Sequence, residues 1–343
     1  MRITFRKPIF ASFFLSLAFL MPFQAHAWGN AGHEAVACVA WQKLTPATKA
    51  RVLELLKLVP TLVDPKDASK TIPGYADWVA DMPAGLSQEQ QNMYLFMRAA
   101  TWPDSIKHQW LHDSDNAPAG ITTDVNIGFT DTASHGYWHF VDAAFASDKS
   151  AVPATPTPDA ATQIVAFRTA VASDEADLLK AYDLIWLEHI VGDIHQPLHG
   201  STRYNGGTSD EGGNNVLIKL PLAMKKQFEG TLSKSAPTEL HAFWDDLPGE
   251  GQPATALGEA ETFANSLAAA PAAQAANTDP DAWAAESLAM AKKDAYSAPI
   301  GATAGSTKYT ITTAYYNKAM KDAKARVALA GARLADLLNN NLK

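Results

Sequence analysis

The chain reads as an all-α protein: a single, mostly helical domain with long loops and at most one small β-hairpin. Three observations lead there. Apolar residues recur at helical spacing through most of the length, as in AVACVAWQKL and PATKARVLELLKLV. Gly, Pro, Asn and Ser gather between those stretches rather than within them. No internal repeat and no linker divides the sequence into two cores, and a chain of 343 residues is long enough to bury one large core.

Taken in order, the elements justify themselves by their own punctuation. Residues 1–27 carry Arg2, Arg6 and Lys7, an apolar run from Ile9 to Phe23, and the small-x-small tripeptide Ala25-His26-Ala27. That pattern predicts a secretory signal removed before Trp28, leaving a domain at 28–343 that is periplasmic or secreted. No later run reaches the ~18 apolar residues that a membrane span needs. Pro46 falls at the start of a second helix. Ser87 and Gln90 suit the start of SQEQQNMYLFMRAATW as N-cap and capping-box partner. The stretch TQIVAFRTAVASDEADLLKAYDLIWLEHIVGDIHQ holds one or two buried helices, TELHAFWDDL a short one, and Thr313 to Leu338 a closing amphipathic one. HDSDNAPAGITTDVNIG, SDKSAVPATPTPDAA and RYNGGTSDEGGNN read as loops, and NVLIKL as the one strand, half of a small hairpin.

Cleavage would remove three basic residues and no acidic one, so the formal charge of −8 becomes −11. An acidic protein is a poor non-specific binder of polyanions, so attraction for a phosphate ester has to be local, and metal ions could supply it. Cys38 is the sole cysteine, which excludes an intrachain disulfide; within AVACVAW it reads as a small buried hydrophobe.

The chemistry gathers in HIVGDIHQPLH, residues 189–199. His189 and Asp193 stand four apart on one helical face, and Pro197 ends or bends the helix so that His199 can turn to the same side. Alone, such a set also fits a surface or a hydrogen-bonded core. The grammar recurs, however. His241 and Asp245 are again four apart, His139 lies among aromatics in YWHFVD, and Asp104 follows Trp-Pro. With His33 these supply five His and three Asp, a donor mix that zinc accepts.

WGNAGH, WPD, WHFVD, HIVGDIHQPLH, GGNN and HAFWD follow one another between residues 28 and 245. In that order and spacing they resemble the mould and plant single-strand nucleases with a trinuclear zinc centre, of which zinc-dependent phospholipase C is a distant relative. The resemblance implies the helical fold of that group and three Zn2+. Asp104, His139, His189 and Asp193 would hold one zinc. Trp28, His33 and the second oxygen of Asp193 would hold its partner, with Trp28 donating through an α-amine freed by signal cleavage. His199, His241 and Asp245 would hold the third. An α-amine titrates near ~7.7–8.0, so a metal displaces its proton readily at neutral pH, which an amide nitrogen cannot match.

It also implies hydrolysis of single-stranded DNA and RNA to 5′-phosphorylated products and removal of 3′-phosphates from 3′-nucleotides. Metal-activated water would attack phosphorus in line, with Asp104 and Asp193 at the catalytic metals and Lys107 touching a phosphate oxygen. Phe140 and Asp142 would stack on and hydrogen-bond a base, with Asn214 and Asn215 lining the same pocket. The plainer readings are an exposed lysine, a core phenylalanine, a capping aspartate and a glycine turn. His195 would face elsewhere, and His108, His112 and His135 carry no assigned role. The mould enzymes have disulfides that this chain cannot form, and its loops at 116–134 and 203–213 have no counterpart in the motif set. The alternative activity is that of a phospholipase C-type lipid phosphodiesterase; no protein partner and no stable membrane association are expected.

Overall fold

The computed structural model describes residues 28–107, 109–110, 128–131, 133–231, 236–249, 256–301 and 305–343. The expected signal at 1–27, His108 and His112 lie outside these residues, as does most of the loop at 116–134.

Helices dominate, and the most buried of them begins two residues after Trp28. In Asn30–Trp41 every residue from Ala31 to Trp41 is buried, which its run of Ala, Val, Cys and Gly permits because a helix apolar on all sides belongs inside a bundle. It packs on the C-terminal helix Thr313–Asn341, on Ala256–Asn265, on Gln88–Ala99 and on Asp177–Asp193. Contact with the C-terminal helix is close: a Cβ added at Gly331 would stand 2.5 Å from Val39 Cβ. Only a glycine lets the two backbones approach that far.

The long apolar stretch resolves into two helices, Ala160–Val171 and Asp177–Asp193, the second buried from Lys180 onward. Several helix starts are capped by side chains. Thr45 caps a helix with Pro46 in its first turn, Ser87 and Gln90 form a capping box, and Asp159 and Thr162 form another.

Among the described residues strands are short and form three small sheets. NVLIKL does contain a strand, Val216–Lys219, but its partner is the remote Gly305–Thr310 running parallel rather than a neighbouring hairpin arm. The stretch read as a loop at 203–213 carries a hairpin instead: Ser201–Asn205 pairs antiparallel with Thr208–Ser209, turning on Gly206 and Gly207, both at positive φ. Ala143–Ala146 adds in parallel to Ser201–Asn205, so the segments leaving His139 and His199 are tied side by side. A further hairpin, Leu62–Asp64 with Asp67–Ile72, was not expected.

Candidate metal centre

His189 and Asp193 project from the last turn of Asp177–Asp193, and the chain then turns through Gln196 and Pro197 to His199. His139 ends a short 3-10 turn, Asp104 sits in the short helix Trp102–Lys107, and His241 and Asp245 share the helix Leu240–Asp245. His33 comes from the first turn of the N-terminal helix. All the histidines and Asp193 are at most 1% exposed, an expensive placement for polar rings without a common purpose.

Three of these imidazoles, those of His189, His199 and His241, are aimed by main-chain carbonyls. His189 Nδ1 donates to Ala100 O at 2.7 Å, His199 Nδ1 to His139 O at 2.8 Å, and His241 Nδ1 to Gly212 O at 2.8 Å. That fixes the tautomer and leaves a lone pair on each Nε2, the second-layer pattern of metal-ligating histidines. The Nε2 atoms then converge. His199 Nε2 and His241 Nε2 face each other at 3.2 Å, and Asp245 lies 3.6 and 3.5 Å from them. Two imidazole lone pairs beside a carboxylate repel unless a cation stands between them.

The second nest repeats the geometry. His189 Nε2 lies 2.9 Å from His139 Nδ1, 3.2 Å from Asp193 Oδ2 and 3.6 Å from Asp104 Oδ1. Asp193 turns its other oxygen, Oδ1, to His33 Nε2 at 3.4 Å, so one carboxylate faces two nests. Asp104 Oδ2 approaches the same His33 nitrogen at 4.0 Å. Tetrahedral zinc with ligands at about 2.0–2.1 Å separates those ligands by roughly 3.3 Å. The observed spacings bracket that value, and Asp104 Oδ1, Asp193 Oδ1 and Asp245 Oδ2 are buried oxygens with no hydrogen-bond partner. Among the described residues three groups could hold a metal: His33 with Asp104 and His189, His139 with His189 and Asp193, and His199 with His241 and Asp245.

Protonation favours neutral rings at His139 and His33, whereas at His189 burial is outweighed by Asp193 and Asp104, which raise it. Burial, then Lys107 and His189, holds His139 well below the usual imidazole range; burial and His189 lower His33 as well. Neutral rings are what a metal requires. Burial alone would raise Asp193, but His189 and His199 outweigh it and keep the carboxyl well below its ordinary value. Asp245 goes the other way: burial, with Asp246 and Asp193 adding to it, exceeds the help of His241 and Gln196. A carboxylate in that nest ionises when a cation sits beside it.

Trp28 is fully buried, its indole N–H donating to Gly192 O at 3.0 Å. A Cβ at Gly192 would touch His33 Nδ1 at 3.0 Å and Trp28 Cδ1 at 3.9 Å, so Trp28 and His33 meet over the glycine beside Asp193. Lys107 Nζ lies 3.4 Å from Asp104 Oδ1 and 5.4 Å from the Phe140 ring centre. Phe140 is 7% exposed and stacks on His199 at 4.6 Å. Asp142 takes a left-handed conformation, its N–H directed to His199 O. Asn214 turns its amide back to Glu211 O, and Asn215 is exposed. His195 faces the C-terminal helix, and His135 stacks on Trp138 at 3.6 Å while contacting Asp131 and Tyr137.

Two contributors escaped the sequence reading. Gln196 donates to Asp245 Oδ1 at 2.7 Å, though it lies inside the quoted motif. The part of GGNN that reaches the centre is the Gly212 carbonyl on His241, not an asparagine side chain. Gly212 and Gly213, both at positive φ, permit that turn.

Fold and site together define a mainly helical protein with a buried, metal-competent His/Asp centre fed by five separate segments. A family profile described as S1/P1 nuclease matches residues 28–343, and the chain belongs to that family of metal-dependent nucleases. Endonuclease 4 of Arabidopsis thaliana is 24% identical over 340 residues, covering 92% of this chain and 89% of its own. Endonuclease 3 of the same plant is 29% identical over 170 residues, covering 46% of this chain and 50% of its own. No helix among the described residues is long and apolar enough to cross a membrane.

Proposed function

We propose that this nuclease is an exported, three-zinc phosphodiesterase that cleaves single-stranded DNA and RNA to 5′-phosphorylated products and removes 3′-phosphates. The observation that carries this reading is the convergence of buried imidazoles on Asp193 and Asp245 at spacings that suit zinc. Asp104, His139, His189 and Asp193 would hold one zinc, Trp28, His33 and Asp193 a second, and His199, His241 and Asp245 a third. Placement of the Trp28 side chain beside His33 over Gly192, and a family match that starts at Trp28, support a mature terminus there.

Bound zinc would supply a water of pKa lowered to about 7 and positive charge for the phosphoryl oxygens. The protein groups bind and orient. Lys107 offers a point charge to a phosphate oxygen, without arginine's bidentate fork. Phe140 offers an aromatic face, worth ~1–3 kcal/mol per stacked base, which only an unpaired base can use. Because so little of the ring is exposed, stacking requires a neighbour to move, and Lys107 is the neighbour not needed as a ligand. Asp142 would accept from the base edge. Asn214 and Asn215 would line the same pocket.

The test is cleavage of matched single- and double-stranded DNA, RNA and a 3′-nucleotide, before and after zinc is stripped with EDTA and restored. The reading predicts zinc-dependent turnover with single strands preferred. Equal turnover after stripping, or hydrolysis of phosphatidylcholine with no attack on DNA, would overturn it.

A further inference from the structure

Behind the metal-facing side of the turn 194–200 lies a second buried polar cluster that none of the chemistry above uses. It joins His195, Glu286, Ser287, Arg326 and Arg333. The two arginines come from the C-terminal helix, 131 and 138 residues from the histidine they touch, and are 4% and 1% exposed.

Every polar group of His195 is engaged. Its N–H bonds Gly192 O at 3.1 Å and its Nδ1 donates to Val191 O at 2.7 Å. Nε2 therefore accepts, and Arg333 Nη1 donates to it at 2.9 Å. The His195 carbonyl accepts from Arg326 Nε at 2.9 Å. One residue back, Ser287 Oγ donates to Ile194 O, while Arg326 Nη2 bonds the same hydroxyl at 2.8 Å. Glu286 bridges the arginines, accepting both Arg333 terminal nitrogens at 2.8 Å and Arg326 Nη1 at 2.9 Å. A Cβ on Gly200 would meet Ser287 Cβ at 2.6 Å, so the helix Pro280–Met290 presses directly on the end of the turn.

The segment so gripped is the one that spaces the nests. Ile194 and His195 follow Asp193, which faces two of them, and precede Gln196, which steadies Asp245, and His199, which enters the third. Gln196 N–H bonds Asp193 O at 2.8 Å and His199 N–H bonds Gln196 O at 3.1 Å, so a tilt at His195 moves all three. Arginine suits the task because one planar fork holds Glu286 bidentately and still has an N–H for His195; lysine cannot do both.

The geometry points to Arg326 and Arg333, locked by Glu286, as positioning residues that set the distance between the metal nests through His195. This rests on the zinc reading above. The test uses the protein starting at Trp28 and its variants Arg326→Lys, Arg333→Lys and Ser287→Ala, with Val52→Ala as a core control. Val52 lies in the helix Pro46–Leu56, whose Arg51 meets Asp177 at the opposite end of the helix Asp177–Asp193 from Asp193. Two quantities are measured: zinc affinity by chelator competition, and amide exchange of residues 194–200 in metal-free protein. We expect the arginine variants to lose about 10–100-fold in zinc affinity, the range for groups that orient ligands, with faster exchange confined to the turn. Val52→Ala should keep wild-type affinity. Should the arginine variants not fold, Ser287→Ala carries the comparison with a smaller loss and the same local exchange. Wild-type affinity and exchange in the variants, or an equal loss in Val52→Ala, would overturn the proposal. A wild type that takes up no zinc would instead overturn the metal reading, and exchange at 194–200 would still decide the clamp.

Discussion

At the residue scale the centre depends on atoms that side-chain letters do not spell. Gly192 is the sharpest case: the site of a would-be Cβ lies 3.0 Å from His33 Nδ1. Gly192→Ala should push His33 off Asp193, lowering zinc uptake and cutting nuclease rate at least about tenfold, since ligand-supporting changes cost that much. Unchanged far-UV circular dichroism beside that loss would show the effect to be local; an unaffected rate would show that His33 is not a ligand that matters. Glu188 makes the opposite point. It is fully buried, neither carboxyl oxygen has a hydrogen-bond partner, and burial raises it well above the carboxylate range. Glu188→Met, of similar volume, should stabilise by about 1–3 kcal/mol, the cost of an unsatisfied buried polar group, as read by thermal denaturation; a lower midpoint would reveal an unseen use for the carboxyl. The candidate ligand side chains were legible because His and Asp four apart on a helix announce themselves. Ala100 O, His139 O and Gly212 O were not, since a carbonyl belongs to every residue and only the fold aims it.

At the element scale, helix existence and starts followed from capping chemistry and periodicity, as Thr45-Pro46 and Ser87–Gln90 show. Partners did not. Val216–Lys219 looked like a strand, but pairing with Gly305–Thr310 depends on how the helices between them pack. The Ser201–Ser209 hairpin was hidden in a Gly- and Asn-rich stretch whose polarity resembled a loop. Helix contact is more predictable in consequence. Gly331→Ala would set a methyl 2.5 Å from Val39 Cβ and 2.8 Å from Val36 O, backbone that cannot rotate away. Overpacking of this kind costs about 1–3 kcal/mol, so denaturant titration should show a lower midpoint. No change would mean that the two helices slide apart freely.

At the scale of the whole molecule, the C-terminal helix links stability to the centre through Arg326, Arg333 and Glu286. Burial tends to raise Glu286, but Arg333 and Arg326 outweigh it and hold the carboxyl below its ordinary 4.5. A carboxyl lower in the folded state contributes stability above pH 4.5 and loses it as pH falls through the folded value. Metal-free protein should therefore lose thermal stability below about pH 4.5, with Glu286→Gln less stable at neutral pH and flatter in acid; parallel profiles would remove Glu286 from acid unfolding. The formal charge of −8 also takes its place here. A net negative charge gives nucleic acid no general attraction, and zinc at the buried aspartates would supply local positive charge.

The most direct test of that centre is the zinc content of two purified forms, one beginning at Trp28 and one with a single alanine before it. Three zincs per chain in the first and two in the second is the predicted result, because the added residue turns the α-amine into an amide. Equal zinc content in both forms would contradict the claim that the N-terminus completes the metal site.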